Sequence, residues 1–368
     1  MKRFRFHSLA LPHTVSNTDY VACAYTQKIV KFSRMMNDYH EIIHYGHPAS
    51  NLPCAEHVTV TDDEVLQQAY GTHDWRRHQF RHNRQDYANQ EFIRRAIPEI
   101  ESRVEPGDFV LCWWGQGHDE IAWAAERLGA IAVEPGIGYT SGHFARWRAY
   151  ESHAVRTAVE GCNNGQNWYS RVIPNYFDPT EFTYQSDKQD YVLYLGRVTE
   201  LKGITTCIQA CAAAGVKLKI AGQGRLADLG YTQVPDHVEE LGYADVDQRR
   251  ELMASASALI IATTYLEPFG GVQVEALLSG TPVIAPAFGA FAEVQLPGVT
   301  GFLCWTMRDY VEAIRNRWDI SPAVCRQRGL KYSLAQVRAD FQRWFEDLTE
   351  VYTGSGWTAT GPRPWQHS

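Results

Sequence analysis

The chain has 368 residues and a mass of 41.8 kDa, which is long enough for two domains that each bury a core. Hydrophobic residues make up 45% and charged residues 21%, as in an ordinary globular protein, and the net charge of −7 excludes a basic nucleic-acid-binding domain by bulk charge. The sequence has no apolar run near the ~18 residues of a membrane span and no secretory signal, which predicts a cytoplasmic protein, although peripheral membrane contact stays open. It also has no C-x-x-C motif, so its cysteines are predicted to be reduced.

The first residues have the pattern of an α/β domain. A strand is predicted over residues 3–11 and a polar loop over 12–18, and helical periodicity runs from about Asp19 to Met36. Apolar stretches at residues 41–46 and 56–60 predict the next two strands. A strand, a polar loop and a helix in this order form the first unit of an α/β domain.

An arginine-rich segment follows between residues 71 and 98. Its arginines alternate with aromatic residues, and Arg76, Arg77 and Arg81 are candidates to hold an anionic acceptor. Phospholipid, sugar phosphate and nucleic acid all fit such a patch. The competing interpretation is a solvated helical pair whose arginine side chains cover apolar neighbours.

A histidine stands at the end of a predicted central strand. Residues 107–114 form an apolar strand, and Gly115, Gln116, Gly117 and His118 follow before the next helical pattern. Ligands of parallel α/β sheets bind beyond the carboxyl ends of the strands. His118 is therefore a candidate for the active cleft, where a histidine can contact a substrate or transfer a proton.

A polar run at residues 185–190 marks a domain boundary, which gives a first domain of residues 1–185. The first strand of the second domain ends at Gly196. Arg197 and Lys202 follow within one turn, where a guanidinium and an ammonium can reach the same anion. This pair predicts a phosphate site.

Two motifs in the second domain suggest other chemistry. Gly222-Gln223-Gly224 follows a strand, but Ala227 stands at the third glycine of a dinucleotide fingerprint, so that fingerprint fails and only backbone contact with a base or phosphate is predicted. Asp245-Val246-Asp247 has the form of a metal-binding D-x-D motif. We favour an N-cap for the helical pattern that follows it.

The strongest pattern spans residues 258–286. An apolar strand is followed by a turn through Glu267-Pro268-Phe269-Gly270-Gly271, a short helix and a second apolar strand. The two glycines leave backbone amides unshielded, so phosphate oxygens could approach the positive end of the helix. Glu275 lies about one helical turn beyond Gly271, where its carboxylate can accept hydrogen bonds from the two hydroxyls of a ribose.

This stretch resembles the E-x7-E signature of family 4 retaining glycosyltransferases, with Glu267 and Glu275 as the two acids. The resemblance is specific over residues 191–303 and includes a basic pair, Arg197 and Lys202. It implies an α/β protein of the GT-B fold, in which two Rossmann-like doubly wound domains face each other across a cleft. It further implies a second domain at residues 186–332 and a last helix at 333–352 that packs back on the first domain.

By this resemblance the protein is an enzyme that moves a sugar, with retention, from a nucleotide diphosphate sugar to an acceptor hydroxyl. Arg197 and Lys202 would neutralise the diphosphate, so no metal is expected. Glu267 would contact the donor sugar or the adjacent phosphate, and His118 would contact the donor sugar. The resemblance extends the predicted donor site to seven residues: Thr14, Gly196, Gly222, Phe269, Gly270, Gly271 and Glu275. Thr14 lies in the loop where the family often carries adjacent glycines, which this sequence lacks.

Substrate identity is open at this point. No cofactor is expected beyond the donor substrate, for which a UDP-sugar is the first choice. A glycan, a lipid-linked sugar or a modified DNA base could be the acceptor. Two other functions also fit: a nucleotide-sugar epimerase or phosphorylase of the same fold, and a non-catalytic sugar-nucleotide binder.

Overall fold

The computed structural model describes residues 2–20, 23–76, 80–162 and 170–353, and in them the strands form two parallel sheets, one of seven strands and one of six. The strands of the first sheet are β1 (Arg5–Leu9), β2 (Glu41–Gly46), β3 (Glu56–Thr59), β4 (Phe109–Leu111), β5 (Ile131–Ile137), β6 (Trp147–Tyr150) and β7 (Arg171–Val172). The strands of the second sheet are β8 (Gln189–Leu195), β9 (Leu218–Ala221), β10 (Val238–Gly242), β11 (Ala256–Ile260), β12 (Val283–Pro286) and β13 (Gly301–Cys304).

Helices cover both faces of each sheet. The helices that follow strands of the first sheet are α1 (Ala24–Met36), α2 (Asp63–Tyr70), α3 (Tyr87–Glu101), α4 (Asp119–Glu126) and α5 (His153–Cys162). Those of the second sheet are α6 (Ile204–Ala214), α7 (Val246–Ser255), α8 (Gly271–Leu278), α9 (Phe291–Val294), α10 (Met307–Arg315) and α11 (Pro322–Leu330), and α12 (Leu334–Thr353) ends the described chain. Alternate strand residues point to opposite faces, so each sheet carries two apolar cores.

Both sheets are doubly wound. The strand order is β3-β2-β1-β4-β5-β6-β7 in the first sheet and β10-β9-β8-β11-β12-β13 in the second. The order therefore reverses beside β1 and beside β8, and such a reversal leaves a crevice beyond the carboxyl ends of the strands. The prediction of two Rossmann-like domains is confirmed, and each has one switch point at which a ligand can bind.

The last helix, α12, packs on the first domain. The ring of Phe345 lies 4.7 Å from Phe6 and 4.8 Å from Phe109, centroid to centroid, within the core that also contains α1. The two segments that cross between the domains are hydrogen-bonded to each other. The Phe177 amide donates to the Tyr332 carbonyl, and the Leu334 amide donates to the Phe177 carbonyl, both at 2.9 Å.

The two domains also contact each other beside the cleft. Glu293 of α9 accepts hydrogen bonds from the amides of His153 (2.9 Å) and Ala154 (2.8 Å) at the start of α5. The Ser152 hydroxyl donates to the Pro268 carbonyl at 2.5 Å, in the turn before α8. A carboxylate of one domain thus caps a helix of the other, which stabilises this contact between the domains.

Two element boundaries differ from the predictions. The first helix begins at Ala24 rather than near Asp19, because the described residues before it form turns. Within the arginine-rich segment, the described residues 71–76 and 80–86 form turns and irregular chain, and the helix α3 begins only at Tyr87, where Asp86 caps it by accepting from the Asn89 amide at 2.8 Å. Among the described helices, none combines the length and apolar character that crossing a bilayer requires.

Candidate functional site

A cavity of about 350 Å³ lies between the domains at the switch point of the second sheet. Gly196 and Arg197, directly after β8, line it together with Glu267, which follows β11. The other predicted residues among its lining are Lys202, Gly222, Gly270, Gly271 and Glu275. The structure thus brings eight predicted residues together around one cavity, and the volume of this cavity is typical of a small-molecule site.

Glycines let the backbone turns of this cavity approach each other. Gly222 has a φ of +151°, and a Cβ atom there would lie 1.8 Å from the Gly196 carbonyl oxygen. Gly270, the N-cap of α8, has a φ of +69°, and its Cβ would lie 2.6 Å from Cε1 of Phe291. A side chain at either position would displace neighbouring atoms. Gly270 and Gly271, where α8 begins, both line the cavity.

Two ion pairs arrange the charges of the cavity. Lys202 Nζ lies 2.5 Å from Glu267 Oε2, which also accepts from the Tyr265 hydroxyl at 2.8 Å. Arg249 Nη2 donates to Glu275 Oε2 at 2.9 Å. Each carboxylate is therefore held in one orientation by a charge-assisted hydrogen bond, with a cation beside it.

Sequence reasoning missed the basic residues that the first domain contributes. Lys28 and Lys31 of α1 line the cavity opposite α8. Lys28 Nζ donates to Glu151 and, at 3.0 Å, to the Gly136 carbonyl, and Glu151 accepts from Asn175 at 2.9 Å. Burial lowers the pKa of the Lys28 amine well below its usual value. The sequence did contain a sign of this site, because Lys28 occupies the apolar side of the predicted helix, where a hydrophobic residue is normal.

The structure places His118 inside the first domain, away from the cavity. The fully buried ring has Nε2 3.0 Å from the Ala10 carbonyl, and Nδ1 accepts from the Trp114 amide at 3.3 Å. Burial lowers the pKa of His118 to about 3, so the ring is neutral near pH 7. Because backbone groups occupy both nitrogens, His118 holds the loop after β4 and makes no direct contact with the cavity lining.

Thr14 and Phe269 are also placed away from the cavity surface. The buried Thr14 hydroxyl is hydrogen-bonded to the Thr26 hydroxyl at 2.7 Å. The Phe269 side chain packs in a core of the second domain, and its carbonyl accepts from Gln273 at 2.6 Å. Both residues fix the backbone of their loops and expose no side-chain group to the cavity.

The three arginines predicted to hold an anionic acceptor do not form one described site. The Arg76 guanidinium stacks over the Trp75 ring at 4.4 Å, and Arg81 lines a separate cavity of the first domain. Arg77 lies outside the described residues. Neither described arginine is among the lining of the cavity between the domains.

The D-x-D motif has the predicted capping role. Asp245 is the N-cap of α7 and accepts from the Gln248 amide at 2.9 Å, and Asp247 pairs with Arg250 at 2.9 Å. Across the described part of the chain, no group of three or more His, Cys, Asp or Glu side chains is placed to hold a metal ion.

Two doubly wound domains with a charged cavity between them define the GT-B fold. Residues 180–317 match the family model described as "Glycosyl transferases group 1". Among curated proteins, a Methanocaldococcus jannaschii protein described as an uncharacterized glycosyltransferase is 36% identical over 124 residues, which cover 31% of this chain and 32% of that protein. The match thus spans only about a third of the length of that relative.

Solved structures show the same fold over nearly the whole chain. AviGT4, a glycosyltransferase involved in avilamycin A biosynthesis, has a TM-score of 0.69 at 19% identity and covers 94% of this chain and 98% of its own. HepE of Anabaena, solved in complex with UDP and glucose, has a TM-score of 0.67 at 15% identity, with 94% and 100% covered. At these identities the likeness establishes the fold.

Proposed function

We propose that this protein is a glycosyltransferase that moves a sugar, with retention, from a nucleotide diphosphate sugar to an acceptor hydroxyl. The observation that carries the proposal is the cavity between the domains, whose lining includes Arg197, Lys202, the first residues of α8 and Glu275. The group 1 glycosyltransferase match over residues 180–317, which includes all of these groups, supports it.

The donor is proposed to lie along this cavity. Arg197, Lys202 and the amides of Gly270 and Gly271 would bind the diphosphate, since guanidinium, ammonium and helix N-terminal amides all favour phosphate oxygens. Glu275, oriented by Arg249, would accept hydrogen bonds from the ribose hydroxyls. The UDP and glucose bound to the Anabaena neighbour support a UDP-sugar as donor.

Charge develops on the diphosphate when the bond between the sugar C1 and the phosphate oxygen lengthens. Arg197 and Lys202 would stabilise this charge because they are held beside the phosphates before reaction. The acceptor oxygen would attack C1 on the face that the diphosphate leaves, and its proton would pass to the departing phosphate oxygen. Glu267, already paired with Lys202 and Tyr265, would position Lys202 and contact the donor sugar.

These cations supply the charge that a divalent metal provides in other transferases, so we propose a metal-independent reaction. The carboxylates of the D-x-D motif support this proposal, since Asp245 caps α7 and Asp247 pairs with Arg250. Transfer is expected to continue unchanged in excess EDTA. Loss of activity in EDTA that Mg²⁺ or Mn²⁺ restores would contradict metal independence.

The decisive test compares Lys202→Ala with a matched control, Lys217→Ala, whose half-exposed side chain pairs with Glu239 on the outer part of the second sheet. Removing one preorganised cation from the reacting charge is expected to lower kcat about 10²–10³-fold. UDP binding, followed by calorimetry, should persist in Lys202→Ala, and the control should keep its full turnover. Unchanged turnover in Lys202→Ala would rule out the proposed phosphate role.

Product analysis distinguishes the other functions. A glycoside with the donor's anomeric configuration, identified by NMR spectroscopy, would support retaining transfer, and the opposite configuration would contradict it. An isomerised nucleotide sugar or a sugar 1-phosphate would identify an epimerase or a phosphorylase. Donor binding without donor consumption would identify a non-catalytic binder.

A further inference from the structure

A second cavity, of about 560 Å³, opens in the first domain beside the cavity between the domains. The cavity between the domains is called the donor cavity below, because the donor is proposed to lie in it. Leu11 and His13, after β1, line it together with Trp114 after β4 and Tyr139 after β5. The strand order of the first sheet reverses between β1 and β4, so this cavity occupies the switch point of the first domain. It is the position at which a doubly wound domain binds a ligand of its own.

The two cavities adjoin each other. Ala24, Arg197 and Gln223 line both of them, whereas Glu275 lines the donor cavity and not the second one. A ligand in the second cavity therefore meets the donor at the diphosphate that Arg197 is proposed to bind, rather than at the ribose. That is the end of the donor where the sugar is attached.

Aromatic side chains form much of the wall of the second cavity. Tyr25, Phe80, Trp114 and Tyr139 all line it, and each is half-buried. The Tyr25 hydroxyl accepts from the Gly138 amide at 3.1 Å, and the Tyr139 hydroxyl donates to Glu134 at 2.5 Å. Both phenol groups are thus bound to protein atoms, and the rings are left as fixed apolar surfaces.

Trp114 is held by its neighbours. A Cβ atom on Gly117 would lie 2.0 Å from Cδ1 of Trp114, so only glycine lets the indole lie over this turn. The His82 ring packs perpendicular to the indole at a centroid distance of 4.8 Å. Aromatic faces carry partial negative charge and attract the C–H groups on one face of a sugar ring. A fixed indole is well suited to that contact.

The arginines that line the second cavity are already engaged by other anions. Arg84 donates to both oxygens of Asp119, at 2.9 and 2.7 Å. Burial, reinforced by the neighbouring His82, lowers the pKa of His13 to about 3, so His13 is neutral near pH 7. Arg197 is assigned to the donor diphosphate.

We infer that the second cavity binds the acceptor as a neutral sugar ring stacked on the aromatic side chains, chiefly on Trp114. This inference rests on the proposed glycosyltransferase function and names the class of its acceptor. It differs from the anionic acceptor suggested by the arginine-rich segment, because Arg76 and Arg81 do not line this cavity.

The experiment titrates the UDP-saturated full chain with methyl glycosides of glucose, galactose, mannose and N-acetylglucosamine, and separately with glucose 6-phosphate, followed by saturation-transfer NMR spectroscopy. At least one neutral glycoside is expected to bind, and glucose 6-phosphate should bind no more tightly than methyl glucoside. Trp114→Ala is expected to weaken glycoside binding by about tenfold or more, whereas Trp114→Phe retains part of it. The control is Trp305→Ala, which changes a 76% exposed indole of the second domain and should have no effect.

Three results would overturn the inference: no binding by any neutral glycoside, equal binding by wild type and Trp114→Ala, or tighter binding of glucose 6-phosphate that Arg81→Gln abolishes. UDP affinity and donor consumption are measured on the same samples. If both are intact while Trp114→Ala has no effect, the stacked neutral acceptor is refuted and the transferase proposal stands. If wild type neither binds UDP nor consumes donor, the transferase proposal itself fails.

Discussion

Replacement of Gly270 by alanine tests whether the turn before α8 shapes the cavity between the domains. Gly270 has a φ of +69°, and its Cβ would lie 2.6 Å from Cε1 of Phe291, which lines the cavity. Gly215 is a matched control, since its φ is +72° and no atom lies within 4 Å of its Cβ position. Both substitutions incur the left-handed backbone cost of about 1–2 kcal/mol. Only Gly270→Ala adds an overpacking cost, typically about 1–3 kcal/mol.

Urea denaturation of the two variants should therefore differ by about 1–3 kcal/mol in the free energy of unfolding, with Gly270→Ala the less stable. Displacement of the Phe291 ring also changes the cavity wall, so UDP affinity should fall in Gly270→Ala and not in Gly215→Ala. Calorimetric titration with UDP measures this second effect. Equal loss of stability in the two variants, or full UDP affinity in Gly270→Ala, would refute the close contact between the turn and Phe291.

Three further predictions concern the rest of the structure. Burial raises the pKa of Glu134 to about 7, so the folded state binds the carboxyl proton more tightly than the unfolded state. The free energy of unfolding of wild type, relative to that of Glu134→Gln, should therefore fall as pH rises from about 4.5 to about 7. Melting curves that show the same difference between the two proteins at every pH would contradict this. Glu293→Ala should remove the cap of α5, at a cost of about 0.5–2 kcal/mol in the free energy of unfolding, and should loosen the contact between the domains. Small-angle scattering should then show a larger radius of gyration, and an unchanged scattering profile would show that Glu293 does not hold the domains together. Phe345→Ala should lower the free energy of unfolding by about 3–5 kcal/mol in denaturant melts, because it leaves a cavity in the core shared by α12 and the first sheet. A loss below about 1 kcal/mol would be inconsistent with that packing.

The cavity between the domains was largely predictable because its residues come from short, local patterns. Glu267, Gly270 and Glu275 belong to one strand-turn-helix unit, and Arg197 and Lys202 belong to another. The side chains that follow a parallel strand must lie at one edge of the sheet, so the pattern alone brings each group near the others.

The first domain was less predictable because its contacts join distant segments. His118 follows a central strand as predicted, but its ring is bound to Ala10, whose carbonyl lies 108 residues earlier in the chain. Lys28 reaches the cavity wall through its pairing with Glu151, 123 residues later. Neither orientation follows from spacing or periodicity, since both depend on which backbone and side-chain groups the folded chain places nearby.

The pairing of the two crossing segments at Phe177 and Leu334 has a consequence for domain motion. Two separate flexible connections would let the domains twist and slide independently, whereas two hydrogen-bonded ones form a single pivot. Movement of one domain against the other is therefore expected to be a rotation about that pivot, with displacement growing in proportion to distance from it. Since α12 packs in the core of the first domain, this helix is expected to move together with that domain.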